Sequence, residues 1–252
     1  MAIATDVKQH DVLAVEQRAE PAGVIVGVGR DLRGVNTELR AAASNGPVRI
    51  STVAHLSGLA AGLRHGEVDV EGDAADYLAV LNDGAVVRLS GNAGCYLADN
   101  MTRGTVIVEG NAGHAAAPYC YGGTVVIRGD AGDFTAVMNK GATIIVCGDV
   151  GDDAATYMLA GDLIVVGDAG CNLGNYLIRG NIYVGGRWRT LGRNTRVEDL
   201  TPDDEAKLSN LFGEYGVLAE PRNFQKVGRL SEKPFYGSKA TVPPDGQPKQ
   251  AQ

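Results

Sequence analysis

The sequence predicts an all-β fold, a single-stranded parallel β-helix of about seven 19-residue turns, and three observations predict it. Gly72, Gly91, Gly110, Gly129, Gly148, Gly167 and Gly186 follow one another at 19-residue intervals with no slip. The positions four and two before each glycine are aliphatic throughout: Val68, Val87, Val106, Val125, Ile144, Leu163, Ile182, and Val70, Leu89, Val108, Ile127, Val146, Val165, Val184. The position after each glycine is Asn or Asp up to Asp168, and becomes Arg187 in the last turn. A strict register of this kind belongs to stacked repeats, and alternate β-branched residues belong to strands with one face in a core.

Each column has a physical reading. Gly followed by Asx suits a corner, because both tolerate positive φ and Asx side chains bond nearby backbone. Six before each marking glycine stand Gly66, Gly104, Gly123, Gly161 and Gly180, replaced by Ala85 and Ala142 in two turns. Small residues seven after it, from Ala79 to Gly174, suit a corner where turns pack closely. Nineteen residues leave room for about three short strands per turn, with turns stacked roughly 4.8 Å apart. The position three before the glycine should face outward and runs Asp69, Arg88, Ile107, Val126, Ile145, Ile164, Tyr183. Such a stripe is either covered by another part of this chain, such as its C-terminal segment, or is a contact surface for a partner. With Phe224, Phe235 and Tyr236 of a basic aromatic arm, Ile107, Val126, Ile145, Ile164 and Tyr183 form the candidate partner interface.

Around the repeat, residues 1–22 read as a flexible N-terminal arm and 23–65 as a capping segment. Within the cap, Gly23 to Val28 and Val48 to Val53 read as strands, and Val35 to Ala43 as a helix opened by Asn36 or Thr37. Residues 66–192 are the β-helix, which needs such protection at its open end. In residues 193–236, Thr201-Pro202-Asp203-Asp204 starts a helix whose stripe of Leu208, Leu211 and Phe212 ends at Gly213. An extended arm follows, and the Pro/Gln-rich 237–252 read as a disordered tail.

The 252 residues, 44% of them hydrophobic, can bury a core, and the net charge of −7 argues against nucleic acid. Neither an 18-residue apolar run nor a basic-then-apolar leader is seen, which predicts a cytoplasmic protein with no membrane partner. Cys95 and Cys171 share a register four turns apart, about 19 Å and too far for a disulfide; Cys120 and Cys147 occupy other registers. Four reduced cysteines are expected, with no metal-ligand spacing among them. Gly27-Val28-Gly29 lacks the third glycine of a dinucleotide loop, since residue 32 is Leu. Asp76, Asp133 and Asp152 share a register and read as an acidic corner, a paired-carboxylate site being the alternative. Cys95, His114 and Asp133, one turn apart in one register, could be drawn together as a Cys/His/Asp site.

The repeated Gly-x-aliphatic-x-aliphatic-x-Gly-Asn/Asp-Ala-Gly, as in Gly104 to Gly113, Gly123 to Gly132 and Gly161 to Gly170, resembles the GXGXG domain. That domain closes the large subunit of glutamate synthase and forms one of the subunits of formylmethanofuran dehydrogenase; the resemblance implies a right-handed winding. Asp31-Leu32-Arg33, Val35-Asn36, Leu39, His55-Leu56 and Ala61-Gly62 look like the lead-in of the glutamate-synthase branch. Leu191-Gly192 and Phe224-Gln225-Lys226-Val227 look like the tail of stand-alone versions such as the third subunit of N-methylglutamate synthase. The resemblance spans about residues 23–236 and implies a non-catalytic scaffold subunit, with no catalytic, cofactor-binding or metal residues of its own. FMN and an iron–sulfur cluster would sit on an FMN-dependent glutamate synthase-like partner, and glutamine chemistry on a class II glutamine amidotransferase-like partner. The catalytic cysteine that opens such an amidotransferase domain has no counterpart, the first cysteine being Cys95. A hetero-oligomer is therefore expected. The alternatives are a formylmethanofuran dehydrogenase subunit and an enzyme with its own site near Cys95, His114 and Asp133.

Overall fold

The computed structural model describes residues 21–232. Eleven strands form one sheet: β1 (Gly23–Val26), β2 (Val48–Ser51), β3 (Glu67–Glu71), β4 (Asp83–Leu89), β5 (Arg103–Val108), β6 (Thr124–Ile127), β7 (Lys140–Val146), β8 (Ala160–Val165), β9 (Asn181–Val184), β10 (Thr195–Glu198) and β11 (Gln225–Arg229). Strands β1 to β9 stack in chain order and in parallel, and β11 then pairs antiparallel with both β9 and β10. The aliphatic columns pair with themselves: Val68 with Val87, Val87 with Val106, and so on to Leu163 with Ile182. These residues fill a β-solenoid of about seven turns.

A turn does not divide into three strands, as its length suggests. Each has one strand, a single bridge in the column Ala74, Ala93, Ala112, Ala131, Val150, Ala169, Trp188, and a coil between them. That coil is left-handed at every second residue. Positions five, seven and nine after the marking glycine, such as Tyr77, Ala79 and Leu81, have φ from 51° to 62° at every non-glycine of the column through Tyr176. Such backbone is unfavourable for L-residues, by roughly 1–2 kcal/mol each. It is held by bonds between turns: Ala98 N donates to Leu78 O at 2.8 Å, and Ala117 N to Leu97 O at 2.7 Å.

The marking glycines are small for a reason other than φ. Only Gly72 has positive φ. A Cβ at Gly91 would stand 2.5 Å from both Asp73 Oδ1 and Gly72 O of the preceding turn. The crowding oxygen is the one that builds the corner. Asp73 Oδ1 accepts from Asn92 N at 2.7 Å, Asn92 Oδ1 from Asn111 N at 2.9 Å, and the ladder continues to Arg187 N. The two breaks in the other glycine column also have a cause. Ala85 and Ala142 each lie three residues after a fully buried asparagine, Asn82 and Asn139. Asn139 accepts from Ala142 N at 2.9 Å and donates to Ala142 O at 2.8 Å, and Asn82 brackets Ala85 in the same way. Where Met101, Cys120, Met158 or Leu177 fills that column, glycine stands three residues later.

The capping segment carries part of a further turn. Gly58, Ala60 and Gly62 repeat the left-handed pattern 19 residues before Tyr77, Ala79 and Leu81. Its strand β2 pairs one residue out of phase, Val48 with Val68, which hides it from the glycine register. Helix α1 (Leu32–Ala43) is capped by Asp31, whose Oδ1 accepts from Gly34 N at 2.9 Å, and so starts earlier than Asn36 or Thr37. Asn36 instead faces inward, donating to Gly58 O at 2.9 Å and accepting from Ala60 N at 2.8 Å.

Helix α2 (Pro202–Tyr215) has the expected start, with Thr201 and Asp204 forming a capping box. It runs past Gly213 to a left-handed cap at Gly216. Helix α2 and the residues from Val217 to Phe224 fold back over the solenoid's outer face, while β11 extends the sheet beside β9. Val126, Ile145, Ile164 and Tyr183 are fully buried there against Leu208, Phe212, Val217 and Phe224, with Ile107 partly buried at the edge. The outward column is thus covered by the chain's own C-terminal segment, and these residues are not a free partner interface. Burial of each large side chain stabilises this cover by about 1.5–3 kcal/mol. In the uncovered first turns the column is charged instead, with Arg88 paired to Glu67 at 3.1 Å. Phe235, Tyr236, most of the 1–22 arm and the 237–252 tail lie outside the described residues.

Candidate functional site

The residues that could carry chemistry are mostly engaged in holding turns together. Asp76 Oδ1 accepts from Cys95 N, Asp133 Oδ1 from Asp152 N and Asp152 Oδ1 from Cys171 N, each at 2.7 Å. The register of Asp76, Asp133 and Asp152 is therefore a second side-chain ladder rather than a paired-carboxylate site. Cys95, His114 and Asp133 do fall on successive turns, but no hydrogen bond joins them. The exposed His114 ring leans away to Tyr96 and Phe134, with centroids 6.1 and 5.3 Å off. The four cysteines are free. Burial pushes the Cys120 thiol up to about 12, and burial raises that of Cys147. Among the described residues no three His, Cys, Asp or Glu side chains are placed to hold a metal ion. No described helix is long and apolar enough to cross a membrane.

An open groove of about 640 Å³ runs along the Asx corner at the C-terminal end of the stack. Asp149, Asp152 and Asp168 line it, and Arg187, Trp188 and Arg189 close it. Asp168 reaches Arg187 at 3.7 Å. Here too one oxygen of each aspartate serves the next turn.

The left-handed coil presents a different surface. Residues seven after the marking glycines are buried, and the columns five and nine after them hold the displayed side chains. Tyr77, Tyr96 and Phe134 stand in one column, interrupted by the buried Ala115, and Leu81, Asn100, Tyr119, Met138, Tyr157 and Tyr176 in another, with Tyr121 beside them. Tyr77 and Tyr96 stack at 4.8 Å with an interplanar angle of 11°, and Tyr157 and Tyr176 at 5.4 Å and 7°. Lys140 Nζ donates to Tyr121 Oη at 2.8 Å. Tyr77, Leu81, Tyr119, Tyr121, Phe134 and Tyr157 rank among the exposed large hydrophobic residues. Six of the nine tyrosines (77, 96, 119, 121, 157 and 176) thus lie on one side. Rigid rings with a polar tip are the side chains enriched at protein interfaces, because they bury area at little entropic cost. This face, not the sheet's outer column, is the candidate functional surface. The sequence holds its signal as a clustering of tyrosines five to eleven residues after the marking glycines.

In comparisons with known proteins, no family model and no curated protein matches the chain.

Proposed function

We propose that this chain is a non-catalytic β-helix scaffold subunit of a multi-chain glutamate synthase-like enzyme of the N-methylglutamate synthase type, working in the cytoplasm. It joins a class II glutamine amidotransferase-like chain to an FMN-dependent synthase chain, which carries the FMN and the iron–sulfur cluster. The observation that supports this most is the division of the surface. The repeated Asp and Asn side chains are spent on contacts between turns, while a rigid tyrosine face is left exposed. The likeness of the repeat to the GXGXG domain supplies the choice of enzyme class. A centre of its own at Cys95, His114 and Asp133 gains no support from side chains that do not engage one another.

The test is reconstitution with the products of the adjacent genes. A stable complex is expected, with glutamine-dependent amination lost when this chain is omitted. A chain that stays monomeric, while the other two assemble and turn over without it, would overturn the reading.

A further inference from the structure

The tyrosine face also carries a carboxylate that sits in no ion pair among the described residues. Asp99 lies in the coil just after Tyr96, half-buried, and its carboxylate accepts from Asn100 Nδ2 at 2.7 Å. No ion pair reaches it among the described residues. Burial raises its pKa despite the Asn100 bonds and the Lys140 charge, as expected of a carboxylate held partly out of water. Partial burial raises the Tyr77 hydroxyl too, followed by Tyr96 and the Asp99 and Asp76 carboxylates, so Asp99 is within electrostatic reach of that ring. Asp76 adds negative charge beside Tyr77. Of the groups that could offset them, Arg103 is engaged by Asp83 at 2.9 Å, and Lys140, bonded to Tyr121, acts on Asp99 through its field without pairing with it.

Carboxylates among exposed tyrosine rings match one side chain best. A guanidinium is planar and weakly hydrated; it stacks on an aromatic face while its N–H fork pairs with a carboxylate. We propose that this face docks a different protein chain that presents arginine, with Asp99 receiving the guanidinium beside Tyr77 and Tyr96. A second copy of this chain is a poor occupant, because it would bring acidic faces together on proteins of net charge −7. The inference rests on the scaffold reading only in taking the occupant to be another chain.

Titration of the isotope-labelled full chain with a peptide of alternating Arg and Gly tests it, using the same peptide with citrulline for arginine as control. Amide shifts centred on residues 77–121 are expected, with affinity at least tenfold weaker for citrulline and for Asp99→Asn. Asp168→Asn, on the corner where Asn92 and Asn111 already serve the ladder, should leave affinity unchanged. Equal binding of the citrulline peptide would overturn the proposal, as would equal losses for Asp168→Asn and Asp99→Asn. So would self-association through this face in sedimentation, or shifts of the same amides on deleting residues 233–252. A reconstituted complex that survives Asp99→Arg would remove the face and keep the scaffold; failure of any complex to form would remove the scaffold, while the titration still reads the face.

Discussion

The Tyr183 hydroxyl donates to Asp204 Oδ1 at 2.6 Å, tying the last strand of the stack to the first turn of the helix that covers it. Lys226 of β11 reaches both oxygens of Asp204 at 3.0 Å, and Lys207 bridges Tyr183 and Asp162. Helix, arm and solenoid therefore meet at one buried carboxylate. Tyr183→Phe should destabilise the protein by about 1–3 kcal/mol, and Lys226→Met, which strands the buried charge, by roughly 3–5 kcal/mol. Urea midpoints measure both, and a Lys226→Met midpoint equal to that of the parent chain would refute this role for the clasp.

The same group sets an acid response. Burial works against ionisation of Asp204, but hydrogen bonds from Tyr183, Thr201 and Lys226 outweigh it and hold the carboxyl below the usual range. A depressed folded value means that the stabilisation is present above the unfolded value of about 4 and is lost progressively as pH falls from there through the folded value. Amides of residues 203–215 should lose hydrogen-exchange protection below about pH 4 before those of β5 to β8 do. In Asp204→Asn that pH dependence should flatten.

Gly91→Ala should be costly, because its Cβ would press on Asp73 Oδ1 and Gly72 O. A loss of about 2–3 kcal/mol is expected from such overpacking. Gly213→Ala offers the contrast. It lies inside α2, exposed, with nothing near a new Cβ, and should stabilise by about 0.5–1 kcal/mol. Thermal melts of the two variants should move in opposite directions.

Asn139→Met leaves the Ala142 N–H and carbonyl without their side-chain partner, a loss of about 2–3 kcal/mol. Two other turns carry Met with glycine three residues on, Met101 with Gly104 and Met158 with Gly161. The double variant Asn139→Met with Ala142→Gly should recover at least half of that loss. Failure to recover would show that the two turn types are not interchangeable.

Cys120 should resist thiol reagents until the chain unfolds, because it is fully buried with its thiol raised to about 12. A colourimetric thiol count at pH 8 should find no more than three reactive groups in the folded protein, and four in denaturant.

The strands were legible because their constraint is local and periodic: Val, Ile and Leu at alternate positions announce one buried face. What covers the opposite face was not. Ile145 and Ile164 read as outward, which is correct, yet Leu208 and Phe212 come to lie on them through a contact that no local pattern encodes. The tyrosine face was hidden for a different reason. Tyr77, Leu81 and Met138 have no preference for left-handed backbone, and the stacking of turns imposes it on them. The glycines misled in the opposite sense, suggesting positive φ where the need was for room.

The unbroken 19-residue spacing has a mechanical corollary. Every turn receives a side-chain oxygen from the one before, so a one-residue insertion would break two ladders and rotate a tyrosine column off its face. A whole added or deleted turn would leave both intact and change the length by about 4.8 Å. The molecule can thus be lengthened only in whole steps, which makes it a ruler: whatever binds near its two ends is held at a separation counted in turns.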